Sequence, residues 1–178
     1  RLKENPVYVA SFKQHFGDDI FEDSDHAYRA MANSIATFEK SELFSPFDSK
    51  YDRYLRGQYK MTDLEDLGMT LFFSQQFTNC QNCHQLKPSP NRKGETFSNY
   101  QYHNIGTPVN KSARAVNGID ESYVDQGLFQ NPHVDDENQS GKFKVPTLRN
   151  VAVTSPYMHN GVFEELRTVI LFYNKFNS

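Results

Sequence analysis

The chain has 178 residues and a formal net charge of −3, so it presents no strongly basic surface for nucleic acid. Its length suits one domain, or one domain with an appendage, and no run of about 18 apolar residues exists to span a membrane. Apolar residues make up 37% of the chain, yet it holds 15 Phe and 10 Tyr beside no Trp; the usual apolar share is about 45–50%.

In chain order, Val7, Tyr8, Phe12 and Phe16 fall at helical spacing and predict a helix over 7–16, ended by Gly17 and two aspartates. Ser24-Asp25 is expected to cap a longer helix reaching about Lys40, with Ala27, Met31, Ile35 and Phe38 as its buried stripe and His26 at the surface. Residues 41–61 are irregular and read as a connection. Thr62 and Glu65 form a capping box, which opens a helix carrying Leu64, Leu67, Leu71 and Phe72 on one face. Gly68 on that helix would admit the close approach of another helix.

The run Cys80-Gln81-Asn82-Cys83-His84 holds both cysteines of the chain. C-x-x-C-H is the attachment signature of c-type haem. Each thiol can form a thioether to one haem vinyl group, and His84 then offers a ring nitrogen to iron. Zinc would want about four protein ligands, and neither a second cysteine pair nor a well-spaced histidine pair follows. A thioredoxin-like pair would want a βαβ context, which the flanks lack. A disulfide here would close a very small loop and stabilise little. Many aromatics with few aliphatics fit a core built partly on a flat cofactor, and equally a polar, loop-rich protein. Haem attachment to this motif normally follows export, yet no signal peptide is visible. The opening at Arg1, inside an expected helix, reads as a mature form or a fragment.

Residues 85–141 are punctuated by Pro88, Pro90, Asn91, Gly94, Gly106, Pro108, Gly118, Gly127 and Pro132. Loops of this length are uncommon unless they have something to wrap, and a haem would serve. His103 and His133 lie here, each an axial candidate or a solvated loop histidine. The last segment, Phe163 to Tyr173, predicts a helix with Leu166, Val169, Ile170 and Tyr173 on one face, and with Glu164 and Glu165 in its first turn.

Phe143 to Tyr173, joined to the C-x-x-C-H at 80–84, resembles the bacterial di-haem cytochrome c peroxidase and MauG-like family. Leu2 to Gly17, Ala36 to Phe38, Tyr51 to Gly57 and Gly68 to Phe73 resemble its middle region. The resemblance covers nearly the whole chain and the second half of the family's usual length. It implies an all-α, cytochrome c-like haem domain over 61–178, with long haem-wrapping loops, and a helical inter-domain segment over 1–60. It also implies a helix contact at Gly68. The single haem c would be the electron-transfer haem, passing electrons to or from a peroxidatic haem on an N-terminal domain outside these residues. No catalytic residue is then expected in this half.

The family's sixth haem ligand lies fourteen residues after the histidine of its Pro-Tyr-x-His motif, which from His159 gives Tyr173. Electron-transferring peroxidases carry Met at that position, and MauG-like members carry Tyr. Met158 as ligand, with Tyr173 packed on Phe72, is the alternative. The resemblance further implies calcium on the backbone carbonyls of Thr154 and Pro156. Arg149 and Lys144 become candidates for the haem propionates, and His159 is placed near the haem–haem interface rather than as a ligand. A periplasmic location, a redox partner such as a small cytochrome or cupredoxin, and a homodimer as one open oligomeric state complete the expectation. A stand-alone mono-haem electron carrier is the alternative function, and a haem-based sensor with a labile sixth site a more distant one.

Overall fold

The computed structural model describes residues 2–86 and 94–176. Arg1 and the expected breakers Pro88, Pro90 and Asn91 lie outside the described residues. The fold is helical, with one sheet of two very short strands. The chain divides into two compact units, residues 1–48 and 49–178.

In the first unit, α1 (Pro6–Phe16) begins on Asn5, whose side chain accepts from the Val7 amide. Pro6 fills the first helical position, where a missing amide hydrogen costs nothing. The next helix, α2 (Ser24–Glu39), is capped by Asp23, which accepts from the Asp25 and His26 amides, not by Ser24-Asp25. Ile20 and Ala30 are buried, and Phe12 stacks on Phe21 at 5.8 Å. The expected α2 stripe is only half correct. Ala27 and Met31 are half-buried, whereas Ile35 and Phe38 face outward in this unit.

The second unit opens with two capping boxes. Ser49 and Asp52 cap α3 (Lys50–Leu55), and Thr62 and Glu65 cap α4 (Asp63–Phe72) as expected. Lys50 joins the helices through Glu65 at 2.7 Å. Leu64 and Leu67 are exposed, and a Cβ added at Gly68 would meet nothing within 4 Å. Among the described residues, then, no helix approaches Gly68 closely along its Cβ direction; α4 makes its ring contacts through its last turn, where Phe72 meets Phe73 and His84.

The expected run of loops contains a seven-residue helix, α5 (Lys111–Asn117), capped by Asn110 and closed by Gly118 in the left-handed region. Strand β1 (Tyr102–His103) pairs antiparallel with β2 (Phe143–Lys144), with Tyr102 opposite Lys144. The last helix, α6 (Leu166–Phe176), starts later than expected because Phe163 pairs with Tyr157 in a backbone bridge. Glu164 and Glu165 consequently precede the helix. Its buried face is built on Phe172, not on Ile170, which is 63% exposed. Among the described residues, no helix is long and apolar enough to cross a membrane.

Candidate haem site

The C-x-x-C-H run follows α4 after a short link. Asn79 adopts the left-handed region, which asparagine tolerates, and a single 3-10 turn holds Cys80–Asn82. The Cys83 and His84 amides both donate to the Cys80 carbonyl, at 3.3 and 2.9 Å. One turn thus presents both thiols and the imidazole. The thiols are free and half-buried, and burial pushes that of Cys83 up, with the nearby Cys80 adding to the effect.

His84 Nδ1 lies 2.8 Å from the Phe97 carbonyl. A carbonyl only accepts, so this bond assigns the hydrogen to Nδ1 and leaves the lone pair on Nε2. Burial draws the His84 pKa below the ordinary imidazole value, against the pull of the Phe97 bond. The Phe72 ring stands 6.3 Å away.

Tyr173 sits half-buried on α6, edge-on to Phe172 at 5.5 Å. Burial pushes its phenol pKa up, and Cys83 and Cys80 push in the same direction. The phenol therefore lies within electrostatic reach of both thiols.

The other candidates have surroundings of their own. Met158 is half-buried in the 154–161 loop with a positive φ of 70°. His159 keeps an exposed edge while one face lies flat on Phe143, centroids 3.5 Å apart, and this partial burial lowers its pKa. It lines a cavity of about 550 Å³ with Asn104, Asn110 and Asp125. Thr154 and Pro156 are exposed. Lys144 places Nζ 5.2 Å from the Tyr100 ring. The Arg149 fork is engaged by a protein carboxylate: NH1 and NH2 meet Asp52 Oδ2 and Oδ1 at 2.5 and 2.9 Å.

Asp52 and Phe97 are the residues that sequence reasoning missed. Asp52 did carry a signal, since Ser49-x-x-Asp52 has capping-box spacing. Phe97 carried none; its importance is the position of its carbonyl.

The residues present fit a covalent haem. Two free thiols share one turn with an imidazole whose carbonyl partner leaves Nε2 its lone pair, and the Tyr173 phenol is in electrostatic reach of both thiols. Residues 1–60 match the family model described as di-haem cytochrome c peroxidase. The whole chain is 49% identical to methylamine utilization protein MauG of Paracoccus denitrificans, over 45% of that protein. The chain belongs to the di-haem cytochrome c peroxidase and MauG family. Cytochrome-c peroxidase IdrP1 of a Pseudomonas species is 30% identical over 98% of the chain and 47% of its own length. The crystal structure of the diheme peroxidase BthA from Burkholderia thailandensis superposes with a TM-score of 0.83 at 28% identity, covering 97% of this chain and 42% of that one. The chain thus spans somewhat less than half the length of these relatives, and its family is one of haem-dependent oxidoreductases.

Proposed function

We propose that this chain is the electron-transfer half of a periplasmic di-haem peroxidase or MauG-like oxidoreductase, working with a peroxidatic haem held by residues outside it. Cys80 and Cys83 form the thioethers, His84 is the proximal ligand and Tyr173 the sixth. Lys144 faces a propionate, His159 lies toward the second haem, and the Thr154 and Pro156 carbonyls contribute to a calcium site. A small cytochrome or cupredoxin is the redox partner.

Bound haem supplies one-electron chemistry at iron, with a potential set by its axial ligands and their partners. The protein's own residues do the rest. The thioethers retain the cofactor through any ligand exchange. The Phe97 carbonyl holds the His84 ring in one tautomer and one orientation and strengthens it as a base. A phenol oxygen at the sixth position favours the ferric and higher states, where a thioether would raise the potential. The observation that carries this reading is the His84–Phe97 bond, which leaves the lone pair on Nε2, beside a Tyr173 phenol in electrostatic reach of both thiols.

Optical and near-infrared spectra of the haem-loaded ferric protein provide the test. Tyr173→Phe should open the sixth site to water or cyanide, and Met158→Leu should leave the spectrum unchanged. The reverse pair of results moves the ligand to Met158 and the reading toward an electron carrier or a methionine-ligated peroxidase.

A further inference from the structure

The Phe97 carbonyl is held in place by an unusual number of ties. Phe97 has φ 52°, a region disfavoured for a bulky side chain. Such a conformation persists only where the surroundings over-determine it. On one side, Arg149 Nε donates to the Glu95 carbonyl at 2.6 Å and Thr147 Oγ1 donates to the Thr96 carbonyl at 2.7 Å. On the other, Ser98 Oγ donates to the Val145 carbonyl at 2.8 Å. Residues 95, 96 and 98 are each fastened to the stretch 145–149, and Phe97 lies between them. Its ring packs under the Arg149 guanidinium at 5.2 Å and against Tyr51 at 5.4 Å.

Arg149 is itself fixed. Asp52 is 7% exposed and takes the guanidinium in a two-point fork, while its Oδ2 also accepts from the Ser49 amide and hydroxyl. A fork specifies orientation as well as charge, which a lysine cannot reproduce. One continuous set of contacts therefore runs from the first turn of α3, through Arg149, to the segment whose carbonyl receives His84 Nδ1.

We propose that Asp52 and Arg149 are positioning residues for the haem ligand His84, acting through residues 95–97 to keep the Phe97 carbonyl on Nδ1. The proposal rests on the reading of His84 as an iron ligand. Outer partners of a ligating histidine set ring orientation and basicity, and their loss typically weakens metal affinity or activity about 10–100-fold. A looser Nδ1–H···O bond makes a poorer donor, which destabilises the ferric state relative to the ferrous.

The test is the reduction potential of the haem-loaded protein, measured by spectroelectrochemistry with thermal unfolding in parallel. Asp52→Asn and Arg149→Lys should each weaken the ferric preference about tenfold, a rise of about 59 mV for one electron. Arg149→Lys keeps the charge, so a positive shift there reports the lost guanidinium geometry, the fork to Asp52 together with the Nε bond to Glu95. Thr147→Val keeps both partners of the ion pair and removes the tie to Thr96 together with the acceptor of the Arg149 amide; it should shift the potential the same way by a smaller factor, and it serves where Asp52→Asn does not fold. Lower melting temperatures with unchanged potentials in Arg149→Lys and Thr147→Val would reduce the pair to a structural tie and overturn the proposal. His84→Gly separates the two readings. If its ferric spectrum matches wild type, the ligand assignment falls and this proposal with it; if the spectrum is lost while the other variants hold the wild-type potential, the positioning role alone falls.

Discussion

Asp52 should make the second unit's stability depend on acid in a defined window. Burial acts to raise its carboxyl pKa, but the Arg149 fork and the Ser49 hydrogen bonds outweigh burial and hold it at about 2, below the ordinary 3.8. A carboxyl depressed by that much stabilises the folded state by about 2 kcal/mol at neutral pH. The sign follows from the depressed folded value: the contribution is complete above the unfolded value and is lost as pH falls from 3.8 through 2. Tyr51 faces the same cluster, but burial, then Glu95 and Asp52, push its phenol up, so it stays protonated throughout. Urea unfolding of haem-loaded wild type and Asp52→Asn should therefore differ by about 2 kcal/mol near pH 6 and converge near pH 2. Breaking a fully buried pair costs about 3–5 kcal/mol; the Arg149 side chain keeps 18% exposure, which places this pair below that range. A difference that stays constant between pH 6 and pH 2 would refute the claim that the fork depresses Asp52.

Replacing Cys80 and Cys83 together by alanine should abolish covalent haem. Wild-type protein should retain its haem through acid–acetone extraction and weigh one haem more than the polypeptide, and a haem that extracts cleanly would defeat the motif reading. Gly127→Ala should destabilise by about 2 kcal/mol, read as a lowered melting temperature. Gly127 has φ +53°, and a Cβ there would run into the Lys142 carbonyl oxygen; an unchanged melting temperature would mean that the 127–142 bridge yields freely.

The helices that the sequence reveals best are those with complete local signals. Thr62 and Glu65 announce α4 because both halves of a capping box lie within four residues. The seven-residue α5 is too short for periodicity to speak; only Asn110 and Gly118 mark it, and both also read as loop residues. The late start of α6 is set by the Tyr157–Phe163 bridge, which helical spacing does not encode. The exchange of Ile170 for Phe172 on its buried face is a tertiary choice between neighbouring positions, since Phe172 finds Phe163 at 5.6 Å. At the site, the thiols and His84 are legible because their geometry is one turn long. The pairing of Asp52 with Arg149 is not, because the two meet across 97 residues of sequence.

The low apolar content has a physical use that composition alone leaves open. The long segments of the second unit are joined by side chains bonded to backbone, with strands only two residues long. Asn110 Nδ2 donates to the Asn160 and Gly161 carbonyls at 3.0 and 2.9 Å, and Asn160 Nδ2 returns a bond to the Pro108 carbonyl at 2.8 Å. Thr147 and Ser98 do the same between 96–98 and 145–147. Buried backbone groups must find partners, and a loop that forgoes a sheet ladder must find them in Asn, Ser and Thr. These residues therefore take the place of strands, as single bonds at chosen carbonyls rather than a continuous ladder. A ladder commits the carbonyls of a strand to the strands on either side, whereas single side-chain ties allow one carbonyl, that of Phe97, to turn toward His84 while its neighbours are held elsewhere. The polar composition and the orientation of the candidate haem ligand thus have a common cause in how these loops are fastened.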